Sequence, residues 1–425
     1  MYNMKFSQSN LSRIVFIICI VLFILRRPDM ILKPQPWAED GIIFIQEHLS
    51  FGLFAIFQDY AGYLHLLPRI ITLFSIELSE LLGLGIQITP FIMNSLSVLT
   101  AVTCVTYLLS SDFNWLSSYR KRVATVLSII LIPTIFEVYG NVTNLQWWLG
   151  IFQFFVTLYV WKYKEFPSLL ITLFFVLSGL SSPAIIVPTL MISLIFLLNF
   201  YREHRISKRN VIFGATTLFT AIVQVCLALL NRQLTNEYPP DAHKFLVFFP
   251  RTFFVGIFDR LVFWDFQGIV QFLLIPTSML VGIIFFLLLS HLNTLRFSFY
   301  FFSLSYIFIF MAITFYGSTF LFSWYVDPFN DGAQRYFHVP VSILLVLFFT
   351  ASIKTSISQI VYCVLSFIIL INILINFRHA PYIDYNWRTA VKDYNPNANN
   401  LCNVPINPAG WNMTIPCDSS IKSQE

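Results

Sequence analysis

Charge is scarce in this chain. Only 11% of its 425 residues are Asp, Glu, Lys or Arg, where soluble domains carry roughly a quarter, and that excludes a soluble globular protein. Internal repeats are missing, which argues against a transporter built from inverted halves. The net charge is +5, but the basic residues scatter over loops and leave no nucleic-acid footprint. The sequence has no G-K-[ST] phosphate loop and no G-x-S-x-G elbow. No residues stand at a metal-ligand spacing and no cofactor motif is evident; carboxylates remain the groups able to bind a divalent ion. The first apolar run, Ile14 to Leu25, lacks a small-residue cleavage site and continues into Arg26-Arg27-Pro28, so it reads as a retained anchor.

What is abundant is apolar and aromatic. Hydrophobic residues make up 57% of the chain and Phe alone contributes 47. The pattern predicts an all-α polytopic membrane protein with about nine transmembrane helices. The spans are placed at 14–25, 87–109, 123–138, 145–161, 211–230, 269–290, 297–317, 338–352 and 358–376. A further apolar stretch, 167–200, is broken at Ser178 to Pro183 and again at Pro188. It reads as a re-entrant segment or a tight pair of short spans, because a helix breaks at membrane depth only where protein or a cavity satisfies the freed backbone. The transmembrane domain is 1–376 and a polar tail follows at 377–425. The larger loops are 33–88 and 231–268. Short basic loops (Arg120-Lys121-Arg122, Lys162 with Lys164, and Arg202 to Arg209) place the N-terminus in the cytoplasm and the tail outside. Arg26-Arg27 runs against that rule. On this topology every acid except Asp112, Glu165 and Glu203 lies on the outer side.

The stretch from Pro36 to Arg69 organises the rest. It carries Glu39 and Asp40 side by side at the mouth of a membrane protein. Acids there are costly, line wet cavities and tend to be functional; the alternative is that they merely start the helix at Gly41. Residues 41–57 read as a helix along the membrane surface, and Leu64 to Leu84 as a helix against the outer interface. Adjacent carboxylates repel, which raises one of them toward the range of a general base. For phosphate, Arg69, Arg251, Arg260 and Arg335 lie on the outer side, and the guanidinium fork suits phosphate oxygens. Arg335, beside Tyr336 and His338, also fits an interfacial anchor, and Arg69, sharing a helix face with His65, also fits an ion pair. Asp327 and Asp331 shape a turn. Asn141-Val-Thr matches a glycosylation acceptor, while Asn144, Gln146, Trp147 and Trp148 read as an interfacial belt or a platform for sugar. Cys19, Cys104, Cys226 and Cys363 fall in apolar runs as inert hydrophobes. Cys402 and Cys417 stand in the outer tail, where a disulfide is expected. With Trp387 and Trp411, that tail reads as a small folded cap, either stacking on sugar or purely structural.

With WAEDG at 37–41, GYLHLLPR at 62–69, NLQWW at 144–148 and the cysteine-bearing tail, the chain resembles the O-antigen glucosyltransferases of the serotype-converting Gtr type, in the GT-C glycosyltransferase superfamily. The resemblance implies an inner-membrane enzyme of bacteria with its chemistry in the periplasm. The donor would be undecaprenyl-phosphate-linked glucose and the acceptor a lipid-linked O-antigen repeat. A flippase and a donor synthase would be its functional partners, membrane lipid its surroundings, and nucleic acid no partner. Glu39 and Asp40 match the superfamily's acidic position, and the arginines match no motif. The rival readings are a flippase for lipid-linked sugar, an O-acetyltransferase and a non-enzymatic scaffold.

Overall fold

The computed structural model describes residues 8–133, 136–203, 207–230, 282, 294–317, 335–351 and 355–418. The span expected at 269–290 and the loop 231–268 lie outside those residues except for residue 282. Its helices are α1 Gln8–Arg26, α2 Leu66–Leu81, α3 Thr89–Thr106, α4 Tyr119–Leu131, α5 Leu145–Tyr163, α6 Leu169–Gly179, α7 Ile186–Glu203, α8 Lys208–Leu230, α9 Thr294–Gly317, α10 His338–Thr350 and α11 Ser356–Ile375. Two antiparallel hairpins complete it, β1 Asp59–Tyr60 with β2 Tyr63–Leu64, and β3 Asn400–Ile406 with β4 Trp411–Cys417. Among the described residues six helices are long and apolar enough to cross a membrane, so the chain is a mostly helical membrane protein.

α5 is the centre. Every side chain from Leu145 to Leu158 is buried, and a helix apolar all round belongs inside other helices. α3, α6, α7 and α10 pack on it. Val339 approaches so closely that a Cβ on Gly150 would stand 2.9 Å from its Cγ2. The expected third span is shorter than its apolar run. α4 stops at Leu131 because Ile132, preceding Pro133, is held extended.

The stretch 167–200 is a helical hairpin, α6 and α7, joined through a turn at Pro183–Ile185. Its tip meets the N-terminus of α2. The Leu66 N–H donates to the Leu180 carbonyl at 3.1 Å and the Leu67 N–H to Ser181 Oγ at 2.7 Å. The far end of α2 meets the start of α3 through Ser79 and Thr89, 2.9 Å apart.

One of the six candidate helices does not cross. Residues Asp40–Phe57 run as a π-turn to Ile45, an α-turn from Gln46 to Phe51 and a 3-10 stretch from Gly52. Asp40 is bonded to Thr143, while Tyr63, just past the segment, donates to Gln146 at 2.9 Å. Thr143 and Gln146 are within one turn of each other at the head of α5, so both ends of the segment are tied to the same end of that helix. We call it the foot.

Arg26 and Arg27, the exception to the charge rule, are wholly buried. Arg26 donates to the carbonyls of Leu131 and Ile132, where α4 ends with unsatisfied acceptors, and contacts His379 Nε2 at 3.0 Å. Arg27 lies over Tyr382 and 3.5 Å from Asp29. Both tie helix ends and tail together. Arg122 is likewise turned inward, onto the carbonyls of Leu108 and Ser110.

The tail folds back on the first loop. Trp37 bridges to Asn407 and stacks on Tyr382, and the Ala38 N–H donates to the Asn407 carbonyl. Cys402 and Cys417 are disulfide-bonded across β3 and β4. Gly41 is pressed against that hairpin: a Cβ there would stand 2.6 Å from Ile406 Cδ1 and 3.4 Å from Met413 Sδ. Gly41→Ala is therefore expected to destabilise the fold by about 1–3 kcal/mol through overpacking. Ile406→Val, which removes Cδ1, relieves part of that loss. Thermal unfolding of both single variants and the double variant checks this. The double should lose less than the sum of the singles.

Candidate functional site

The site grows from the head of α5. Residues 139–144 form a turn that Gly140 makes possible. Its φ is +77°, and a Cβ there would collide with Met30 Sδ. Asn141 closes the turn by accepting from the Asn144 N–H at 2.9 Å and donating to the Glu137 carbonyl. Trp147 Nε1 donates to Asn144 Oδ1 at 3.1 Å, and Trp148 Nε1 to the Val138 carbonyl at 2.7 Å. Asn141 is 2% exposed, so this acceptor pattern belongs to a buried turn.

Into this turn Asp40 inserts its carboxylate. Oδ1 accepts from the Thr143 N–H at 2.9 Å and from the Thr143 hydroxyl, and Oδ2 from the Val142 N–H at 3.2 Å. Asp40 is 1% exposed. Burial pushes its pKa up to about 7, against the pull of those donors, and Glu39 adds to the rise. Asp40 is thus a clamp between the first loop and the head of α5.

Glu39 is displayed instead. It is half-buried, follows Ala38 at the left-handed φ of +28°, and lies within electrostatic reach of the Tyr60 hydroxyl. Burial and the neighbouring Glu39 push the Tyr60 phenol up to about 12. Tyr60 and Tyr63 flank a two-residue turn whose Ala61 and Gly62 both have positive φ, the geometry that joins antiparallel strands tightly. Arg335 lies within electrostatic reach of Glu39, Tyr60 and Tyr63. Its Nη1 donates to Glu137 Oε2 at 3.2 Å, with side-chain exposures of 22% and 16%. Tyr336 meets Trp147 edge to face at 5.0 Å. Glu39, Glu137, Arg335, Tyr60, Tyr63, Tyr336 and Trp147 therefore form one partly open cluster. It holds two carboxylates, a guanidinium and four aromatic rings.

The other expected residues fare differently. Arg69 is 3% exposed and its charge is already neutralised within the first loop. It pairs with Glu47 at 2.5 Å and donates to the Ala55 carbonyl at 2.9 Å. The ion-pair alternative describes it better than a phosphate ligand. His65 is 1% exposed, stacks on Tyr63 at 4.0 Å, and is driven down to about 3 by burial and by Arg69. It is neutral at working pH and offers a phosphate no charge. Arg251, Arg260, Asp327 and Asp331 lie outside the described residues. Trp387 is buried beneath the tail, its Nε1 3.4 Å from the Ile86 carbonyl, so it offers no stacking face. Among the described residues no group of three His, Cys, Asp or Glu gathers as a metal site. A cavity of about 820 Å³, lined by Ser12, Arg13 and Thr106 among others, contains none of the site residues.

Sequence reading missed two residues. Glu137 was absorbed into an apolar span, although an acid in such a run is itself a signal. Gln224, in α8, is 1% exposed. Its Oε1 accepts from the Leu64 N–H at 2.9 Å, and its Nε2 donates to the carbonyls of Leu64 at 3.2 Å and Gly179 at 2.9 Å. In a two-residue hairpin the outer pair turns its backbone groups away from the partner strand, and Gln224 answers those groups on Leu64.

Comparison of the chain with protein-family models, with curated proteins and with solved structures finds no match.

Asp40 links stability to pH. Its folded pKa of about 7 exceeds the usual 3.8, so between those values the folded state binds more protons than the unfolded one. Its contribution is fully present below about pH 4 and is lost as pH rises through 7. Buried neutral His65 works in the opposite sense and cancels when variants are compared. The melting temperature of the wild type minus that of Asp40→Asn is expected to fall steadily from pH 5 to pH 7.5. A difference that stays flat or rises contradicts the assignment.

Proposed function

We propose that this chain is a glycosyltransferase working at one face of a membrane. It takes a sugar from a polyprenyl phosphate and passes it to a glycan hydroxyl. The observation that carries this reading is Glu39. It is a half-buried carboxylate that Asp40 and the tail hold in place, set beside a guanidinium on an aromatic surface. The resemblance of the sequence narrows the proposal to a GT-C-type enzyme with about nine spans and a re-entrant segment. It would sit in the bacterial inner membrane with the tail in the periplasm, and move glucose from undecaprenyl phosphate to a lipid-linked O-antigen repeat. The inward burial of Arg26 and Arg27 supports that orientation, since it removes the one cluster that argued against it.

Glu39 takes the proton of the acceptor hydroxyl. The acceptor oxygen bonds to the anomeric carbon as the bond from that carbon to the phosphate oxygen breaks. The electron pair leaves with the polyprenyl phosphate. Arg335, exchanging Glu137 for phosphate oxygen, meets the charge that builds there. Tyr60, Tyr63 and Tyr336, which are partly exposed, offer faces for the sugar rings. Asp40 does not touch the reacting atoms and fixes the turn against which Glu39 is set.

The test is transfer of labelled hexose from polyprenyl phosphate by membrane vesicles carrying the chain. Glu39→Gln is expected to lower turnover about 10²–10⁴-fold, the contribution of a positioned base, with insertion unchanged. Asp40→Asn is expected to lose transfer as the turn loosens. Full activity in both variants contradicts the catalytic assignment.

A further inference from the structure

The foot's depth can be read from hydrogen bonds. α5 runs from its head at Leu145 toward Tyr163, and Gln153 Nε2 donates to Ser178 Oγ at 3.3 Å. Gln153 is eight residues below the head, about 12 Å at 1.5 Å per residue. α6 returns toward the head, so Leu180 and Ser181 stand about 3–4 Å above that level. They receive the N–H groups of Leu66 and Leu67, which places the start of α2 about 8 Å below the head of α5. α8 gives a second ruler. Asn210 Nδ2 bonds to the Lys164 carbonyl, so α8 rises from the far end of α5. Gln224 meets Leu64 14 residues past Asn210, about 21 Å up from the level of Lys164. Leu229 and Leu230 beyond it are 60% and 77% exposed, as apolar residues facing lipid are. Both rulers put Leu64 to Leu67 about 8 Å below the head of α5.

The foot is fastened at nearly that depth. Arg69, one turn above Leu66, donates to the Ala55 carbonyl and pairs with Glu47. The 3-10 stretch Gly52–Phe57 hangs from this fastening and turns its side chains outward. Phe51, Leu53, Phe54 and Phe57 are 54%, 66%, 76% and 73% exposed, and no charged residue stands among them. Four large apolar side chains in water would be costly at about 25 cal/mol per Å². They are as exposed as the apolar outer face of α8, where Leu218, Phe219 and Ile222 are 50%, 61% and 50% exposed. The Arg69–Glu47 pair, with Arg69 buried and Glu47 partly exposed, fits the same depth, because charges there persist when they neutralise one another.

We infer that Gly52–Phe57, with Phe51, is inserted into the acyl chains of the leaflet on the site's side, and that its partner is the phospholipid bilayer. The foot enters one leaflet and leaves by the same face. The inference stands whether or not the glycosyl-transfer reading does.

The test is nitroxide accessibility in phospholipid vesicles containing the full chain, with Cys226 and Cys363 replaced by Ser. Single labels go at Phe54→Cys and Phe57→Cys. Leu218→Cys on the exposed face of α8 and Asn399→Cys in the tail serve as lipid and water references. Both foot labels should collide with oxygen several-fold more than with a water-soluble nickel chelate, approaching the Leu218 ratio. Nickel collisions as frequent as at Asn399 would show the foot in water and overturn the inference. Poor access to both reagents would show a protein partner over the foot and overturn it equally.

Discussion

The Asp40 carboxylate is the contact on which the site depends. A wholly buried acid is costly, and this one persists because three donors from Val142 and Thr143 converge on it. The turn that supplies those donors is the head of α5, which is buried on every side from Leu145 to Leu158. The first loop is therefore pinned to the rigid centre of the bundle. Glu39, one residue earlier, is displayed by consequence. Two adjacent carboxylates take opposite fates, one internal and structural, the other facing the opening beside Arg335.

Other long-range contacts serve the same pinning. The tail clasps Trp37, Ala38 and Gly41 from one side through Asn407, Ile406 and Met413. Arg26 and Arg27 bind the end of the first helix to the broken end of α4 and to the tail. From the other side Gln224 holds the Tyr60–Tyr63 hairpin against the tip of the α6–α7 hairpin. The cluster brings together Glu137 and Arg335, 198 residues apart in sequence, and each segment answers a backbone or charge that hydrocarbon could not.

Much of this was legible in the sequence. Hydropathy located the long apolar helices, and two cysteines in a polar tail marked the disulfide. The acid pair stood out because carboxylates are rare in such a chain. What could not be read was direction. Nothing local says that Asp40 turns inward and Glu39 outward, since that depends on a turn a hundred residues away. Arg26 and Arg27 looked like loop charges, and burial alone shows otherwise. Glu137 and Gln224 were hidden in apolar runs. In each case a polar side chain inside an apolar stretch was the available clue, and its partner was visible only in three dimensions. The foot met the length and hydropathy of a span, and only its two attachments to one end of α5 show that it does not cross.

The most direct test of the functional account is the structure of the surface polysaccharide made by cells that express the chain together with a flippase and a donor synthase. The account predicts a new hexose branch on the O-antigen repeat that is absent when Glu39 is replaced by Gln. An unchanged polysaccharide with the intact chain would contradict glycosyl transfer to this acceptor, and a branch that persists in the Gln variant would contradict the role assigned to Glu39.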